Sequence, residues 1–488
     1  MLETRRPRLD MLSPSFIDQI VSEALDVLGK TGVFIENDEA LRLLADAGCE
    51  CQGQTVLFKK NLVEESLKTT PHSIKVFDRS GDLAMTLEGD AVHFDPGSGA
   101  LTILDPVTLE ARKPVTRDLI RFAILTDALP NIAAQSTEMI STDVPEAMQD
   151  RYRLYIGLQF SKKPVVTGTF NLKSFEIMKD MLVAVRGSEK AMREKPLAIF
   201  DCCPSPPLKW SHLTCQDLID ASKAGIPAEL ISMPLTGATA PVTLAGALVQ
   251  LTAENLSGIV IHQLAHPGSP IIFGGSPAAF DMRKGTTPMG AVETMMINAA
   301  HVQIGKYLGL PTHSYLGLSD AKTVDGQAGL ETGMGALVAA LAGANAISGP
   351  GMLNFESCQS LEKLVLDNEI CGMALRMVRG IEARGDRLAG DLYGDIYDGA
   401  HFLSSKETLR WFRKELYQAG SVIDRDTYDA WMSQGKKSAW DRACGEVERV
   451  MSSHIVEPLP DDSLQALMSI MEDDARRLGI TLPPLGLR

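Results

Sequence analysis

Between Pro311 and Pro350 the chain reads PTHSYLGLSDAKTVDGQAGLETGMGALVAALAGANAISGP. His313 and Tyr315 precede a loop carrying Ser319, Asp320, Lys322 and Asp325, and Gln327 and Glu331 follow it. Titratable and hydroxyl side chains gathered between two apolar segments mark a strand handing over to a helix, where α/β enzymes set their reactive groups. Similar residues stand at the ends of other apolar runs: Phe94 with Asp95, Gln135 with Glu138, Phe170 with Asn171, and Phe200 with Asp201. Phe273 is followed by Arg283, and a last group is Asn354, Phe355 and Glu356. The set holds aromatics, carboxylates and one Arg, and no activated nucleophile. Aromatic faces and carboxylates together suit a soft cation such as a quaternary ammonium. A nearby Arg or His suits a carboxylate on the same molecule. Plainer roles compete for each residue, since a strand-end aromatic usually belongs to a core and Asp320 can cap the next helix.

Eight short apolar runs position these residues. They are VHFDPG from Val92, IAAQST from Ile132, PVVTGTF from Pro164, LAIFDCC from Leu197, AELISMP from Ala228, PIIFGG from Pro270, PTHSY from Pro311 and AISGP from Ala346. Helical patterns separate them at a spacing of roughly 30–43 residues, the size of a βα unit. Eight units in series predict an α/β fold of the (β/α)8 TIM-barrel type, with GALTILDPVTLEA inserted as a hairpin after the first strand. The helices before the last three strands resemble one another, a weak internal repeat. Residues 1–90 form a mixed helical region with helices beginning at Ser13 and Asn37. Residues 91–380 form the barrel, and 381–488 a charged, helical C-terminal extension.

Composition narrows the function classes. The 488 residues carry a net charge of −15, with a sequence pI near 5.2. No basic cluster offsets this, so nucleic acid is not an expected partner. The run Gly333–Gly349 is too short and too polar for a membrane span. Eight Cys without a CxxC pair, behind an N-terminus lacking a signal-peptide core, point to reduced thiols in the cytoplasm. Leu28-Gly29-Lys30-Thr31 lacks the leading Gly of a phosphate loop, because Ala24 stands there. His262 and His266 have zinc-helix spacing but Gln263 in place of the acid, and Cys202 and Cys203 lack a further soft ligand. No metal site and no GxGxxG nucleotide site is expected.

The blocks THSYLGLSDAKTVDGQAGLE, GMGALVAALAGANAI and GPGMLNFESCQSLEKLVLDNEI resemble the trimethylamine methyltransferase family, and the resemblance spans nearly the whole chain. It implies a TIM-barrel enzyme moving a methyl group from a methylamine to the cob(I)alamin of a separate corrinoid protein, with no cofactor tightly bound to the chain itself. Founding members carry pyrrolysine after the seventh strand. Here Tyr315–Asp320 are ordinary residues, and Gly317 or Leu318 matches that position. A quaternary amine needs no covalent adduct, because it already leaves as a neutral tertiary amine. The resemblance therefore implies glycine betaine as substrate and dimethylglycine as product, with proline betaine, carnitine or another methylamine as alternatives. On this reading the trimethylammonium head sits among Phe94, Phe170, Tyr315 and Phe355. Asp95, Glu331 or Glu356 add negative potential, Arg283 or His313 meets the carboxylate, and Gly317 and Asp320 complete the loop. A homo-oligomer is also expected. Competing readings are a pterin-dependent methyltransferase using Asp201 and Asn171, a betaine-binding protein without turnover, and a lyase.

Overall fold

A computed structural model gives the structure of residues 5–384, 388–393 and 401–486. Short runs of branched and small apolar residues, closed by Gly or Pro, form the strands β1 (His93–Asp95), β2 (Gln135–Ser136), β3 (Val165–Thr167) and β4 (Ala198–Cys202). They continue with β5 (Ala228–Leu230), β6 (Ile271–Ile272), β7 (His313–Tyr315) and β8 (Ala346–Ser348). Each lies within a run expected from the sequence. A long helix follows each strand: α1 (Thr116–Ala128), α2 (Gln149–Phe160), α3 (Ser174–Arg186), α4 (His212–Ala224), α5 (Leu244–Ala265), α6 (Val292–Tyr307), α7 (Gly326–Ala342) and α8 (Leu361–Val378). The caps are local. Asp325 accepts from the N–H groups of Gln327 and Ala328 at the start of α7, and Ser360 accepts from Lys363 at the start of α8.

Pairing among the eight strands is parallel and divides into two sheets, β6–β5–β4–β3–β2 and β7–β8–β1. The sheets meet through several backbone contacts at each seam, among them the His313 N–H on the Phe273 carbonyl at 3.1 Å and the Ala100 N–H on the Glu138 carbonyl at 2.8 Å. Phe273, just past β6, bridges Thr312, just before β7. Ala133 donates its N–H to the Phe94 carbonyl of β1 at 2.7 Å. The observed architecture is a mixed α/β fold of serial βα units. The pairing does not form one unbroken, closed barrel ladder, because the strands are short and the two seams are joined by isolated bridges and bonds rather than by regular strand pairs.

Alternation along the strands decides what faces where. His93, Ala346 and His313 share one face with Asp95, Ser348 and Tyr315, while Phe94, Ile347 and Ser314 share the other. Asp201 pairs with Glu229 on the inward face, and Phe200 with Ala228 on the outward face. Inward from the beginnings of the strands, Ala134, Val166, Ile199, Ile272 and Ala346 form an apolar cluster with Ile74, Val76, Met85 and Leu87. The last four belong to an antiparallel hairpin, Ile74–Phe77 with Leu83–Leu87, which plugs that end. The other end is left to polar groups.

Flanking segments buttress the helices. Pro14–Lys30, capped by Ser13, and Lys60–Thr69 pack on α5. That burial accounts for α5, which is long and apolar enough to cross a membrane yet has 78% of its apolar window buried. The segment Ala439–Ser453 packs on α8 and α1, and Asp461–Leu478 on α3 and α2. The helical character expected after residue 381 is present in Lys406–Glu415, Tyr428–Ser433 and these two helices. Residues 385–387, 394–400 and 487–488 of that extension, and residues 1–4, lie outside the described residues.

Candidate functional site

Inward side chains near the ends of the strands build a connected polar cluster. Asp201 of β4 and Glu229 of β5 are register partners with buried carboxyl groups, and burial raises both toward their protonated forms. Glu229 Oε1 also lies 3.3 Å from His313 Nδ1. His313 Nε2 is 3.0 Å from Ser348 Oγ, and Ser348 donates to Asp95 Oδ2 at 2.8 Å. Ser348 has one proton and gives it to Asp95, so His313 donates from Nε2, and its Nδ1 faces Glu229 without a hydrogen bond. A chain of contacts thus runs Asp201–Glu229–His313–Ser348–Asp95 across β4, β5, β7, β8 and β1.

These groups are buried, and their titration follows from that. Burial pushes Asp95 up to about 7, opposed by the hydrogen bond from Ser348. Burial raises Asp201 and Glu229, the neighbouring charge of Asp95 raises both further, and that of Asp201 also raises Glu229. Burial holds His313 down to about 3, so its imidazole is neutral. Glu138, just past β2, is pushed up to about 8 by burial, although Gln135 donates to its Oε2 at 3.1 Å. Glu356, past β8, is likewise pushed by burial to about 8. Asp95 Oδ1, Asp201 Oδ1, Glu229 Oε1 and Glu356 Oε1 are buried without a hydrogen-bond partner. Acidic groups held this way are poised to receive a cation or donors.

Tyr315 forms one wall. Its Oη accepts from the Ser98 N–H at 2.6 Å, and its ring meets His313 edge-on with centroids 5.8 Å apart. Ser98 Oγ donates to the Thr137 carbonyl at 3.2 Å, and Arg153 Nη1 donates to the same carbonyl at 2.7 Å. Arg153, on α2, is buried, and its guanidinium lies 4.4 Å from the centroid of the Phe170 ring. The Phe170 N–H donates to Asp150, which also bonds Arg151. Arg151 in turn pairs with Asp474 of the C-terminal helix.

The turn after β8 carries Glu356. Asn354, Phe355 and Glu356 have φ of 50°, 57° and 64°, three successive left-handed residues without a glycine. Each such residue costs roughly 1–2 kcal/mol, strain of a kind that collects at functional sites. The Lys322 Nζ sits 3.8 Å from the Phe355 ring centroid and donates to the Asp320 carbonyl at 2.6 Å. Asp320 accepts from the N–H groups of Met289 and Gly290, both at 2.9 Å. Glu331 accepts from Ser319 Oγ at 2.6 Å and the Asp320 N–H at 2.8 Å. Asp320 thus ties the β7 loop to the β6 loop, and Glu331 ties it to α7. Gly317 has φ +86° and lies against Gly335 and Ala336 of α7, so the loop rests directly on a small-residue helix face.

The residues expected from the sequence therefore divide. Asp95, His313, Tyr315 and Glu356 are brought to the strand-end cluster. Asp320, Glu331 and Gly317 shape its rim. Phe94 is corrected: strand alternation turns it outward into the helix-facing core, fully buried. Phe170 and Phe355 each already hold a cation on one face, so an open four-aromatic cage is not assembled. Arg283 is corrected as well: its side chain is 88% exposed and paired with Asp281. Glu229, Ser348 and Arg153 were not singled out. A lone Glu in the apolar run AELISMP was the available signal for Glu229; Ser348 and Arg153 gave none. A cavity of about 490 Å³ opens beside Val92, Ala133, Lys163 and Pro164, which precede their strands, so it lies at the opposite end. Among the described residues, no group of three or more His, Cys, Asp or Glu is placed to hold a metal ion.

Comparison with known proteins places the chain. The model of the trimethylamine methyltransferase (MTTB) family matches residues 1–478. Trimethylamine methyltransferase MttB of Desulfitobacterium hafniense (strain DSM 10664 / DCB-2) is 30% identical over 463 residues, covering 94% of this chain and 93% of the relative. Glycine betaine methyltransferase of Desulfitobacterium hafniense (strain Y51) is 29% identical over 468 residues, covering 95% and 97%. Trimethylamine methyltransferase MttB of Methanosarcina barkeri is 31% identical over 477 residues, covering 95% of each. The crystal structure of Methanosarcina barkeri monomethylamine methyltransferase MtmB superposes with a TM-score of 0.53 at 12% identity, over 99% of this chain and 91% of that one, a likeness of fold alone. With a family match over almost its whole length and relatives of equal extent, the chain belongs to the trimethylamine methyltransferase family.

Proposed function

We propose that this protein transfers a methyl group from a quaternary amine, glycine betaine first, to the Co(I) corrinoid of a separate partner protein. One observation carries the reading. Buried carboxyl groups converge on the strand ends with four oxygens lacking partners, an arrangement that receives an organic cation. The names of the relatives supply the reaction class, and one of them is a glycine betaine methyltransferase.

The chain's own side chains set the cation and leave attack to the acceptor. Burial pushes the Cys202 and Cys203 thiols up, so neither is a thiolate nucleophile. Tyr315 and the acids around Asp201 and Glu229 hold the trimethylammonium head and direct one methyl outward. The nitrogen loses its charge in the reaction, so a fully ionised cage would hold the ground state too firmly. Carboxyl groups held toward their protonated forms give moderate stabilisation instead. The corrinoid is the methyl acceptor and arrives with its carrier. Phe170, Leu172, Met233, Val242 and Met282, all on loops past parallel strands, are exposed and apolar, as a docking face for that carrier would be.

The same proposal includes closure of the eight strands into a barrel, supported by the seam contacts at Phe273–Thr312 and Ala133–Phe94. It keeps the three-part division at residues 90 and 380. It also includes self-association, supported by exposed Val292 and Met296 on α6 beside Leu330 and Met334 on α7. Free cysteines suit a reducing, cytoplasmic setting. The test supplies anoxic protein with a reduced corrinoid carrier and glycine betaine. Methylated corrinoid and dimethylglycine appear together in equal amounts. Binding of glycine betaine with no product, across a panel including proline betaine and carnitine, replaces the enzyme with a binding protein.

A further inference from the structure

We propose that Arg153 is the specificity residue of this site, binding the carboxylate of a zwitterionic substrate whose cationic head rests among the strand-end acids. The inference rests on the cation-binding reading above and goes on to name the second half of the ligand.

The strand ends are rich in acids and poor in free cations. Arg283 is exposed and engaged by Asp281. Lys322 is bonded to the Asp320 carbonyl and stacked on Phe355. His313 is neutral and bonded through Nε2. Arg153 differs from all three. Its side chain is 4% exposed, one nitrogen is satisfied by the Thr137 carbonyl, and one face is covered by Phe170. Its Nε–H is buried with no acceptor among the described residues. A buried guanidinium donor without a partner is costly, and an acceptor on a ligand removes the cost.

Arg153 is also contiguous with the cation end. The Thr137 carbonyl that it bonds is shared with Ser98 Oγ, and the Ser98 N–H bonds Tyr315 Oη. Three hydrogen bonds therefore separate the guanidinium from the Tyr315 wall. The acids that face Arg153 are Asp150, Glu138 and Asp201. Asp150 is held by Arg151 and the Phe170 N–H, and Asp201 is raised by burial beside its register partner Glu229. Glu138 is held largely protonated, so toward a carboxylate it donates rather than repels. Phe170 fixes the guanidinium plane, and fork geometry then selects a planar carboxylate over a lone oxygen. A positive pole at Arg153 beside a negative pole at Asp201–Glu229 matches a molecule with both charges a few bonds apart.

The test compares glycine betaine with tetramethylammonium, a cation of the same head without a carboxylate, by calorimetry on the intact protein. The wild type binds glycine betaine the more tightly. Arg153→Gln weakens glycine betaine roughly 10- to 100-fold and leaves tetramethylammonium within about threefold. Arg153→Lys keeps the charge, loses the fork and falls between the two. Equal weakening of both ligands assigns Arg153 a structural role and overturns the proposal. So does a wild type that prefers tetramethylammonium or binds neither. Because the readout is binding, a wild type that discriminates as stated but transfers no methyl group removes the proposed reaction and leaves the role of Arg153 standing.

Discussion

At the scale of the residue, protonation decides how the site behaves. Asp201 and Glu229 lie side by side with buried, raised carboxyl groups, and Glu229 faces Nδ1 of a neutral His313. A cation entering this cluster favours the ionised acids and so displaces a proton. Affinity for a quaternary amine therefore rises with pH up to about 8, where Asp201 and Glu356 ionise, and levels off above it. Calorimetry in buffers of different ionisation heat is expected to show proton release below that pH. Asp201→Asn with Glu229→Gln removes most of the slope and weakens binding roughly 10- to 100-fold. Tyr315→Phe strands the Ser98 N–H. It lowers stability by about 1–3 kcal/mol and weakens cation binding through loss of the ordered wall, read by thermal unfolding and titration. The sequence indicated Asp95, His313, Tyr315 and Glu356 because they end runs of apolar residues. It misplaced Phe94 because the face of a strand residue depends on register, and a shift of one position exchanges core for site. It passed over Arg153 because nothing in the chain marks which charged helix residue is drawn inward by a neighbouring aromatic.

At the scale of the element, the hairpin Ile74–Phe77 with Leu83–Leu87 is the least expected part. Its place under Ala134, Val166 and Ile199 was not legible, since plugging is a tertiary relation with no local signature. Met85 is buried in that plug. Met85→Ala costs about 2–5 kcal/mol of stability, measured by denaturant unfolding, and leaves the affinity for a quaternary amine unchanged. Loss of affinity there would place the floor of the site deeper than the acids. The strand–helix series was the most legible feature, because periodicity and caps such as Asp325 and Ser360 are local. The close approach of the β7 loop to α7 was written in the small residues around Gly335, and their packing is the reason for the composition.

At the scale of the whole molecule, the buried acids couple fold to pH. Asp95, Glu138 and Glu356 stand near 7 to 8 when folded, far above the ordinary carboxyl range. Between about pH 6.5 and 8 the folded protein holds protons that the unfolded chain has released, so stability falls as pH rises through this window. The three histidines held near 3 act in the opposite direction only below about 6.5, where unfolding lets them charge. A scan of thermal midpoint against pH is expected to decline from 6.5 to 8, and a saturating quaternary amine to flatten the decline. The C-terminal helix enters through Asp474, which pairs with Arg151 beside the Asp150–Phe170 contact. That tie was invisible in a sequence where the extension read only as charged and helical.

The central claim is that the acid-lined strand ends present a quaternary amine for methyl transfer to cobalt. Its most direct measurement is a single turnover with glycine betaine bearing 13C in its methyl groups, reduced corrinoid carrier, and either wild-type protein or Glu229→Gln. The account predicts one labelled methyl on cobalt per dimethylglycine released, at a rate lowered at least about tenfold by Glu229→Gln. Label that never reaches cobalt, or transfer at the same rate in both proteins, would contradict it.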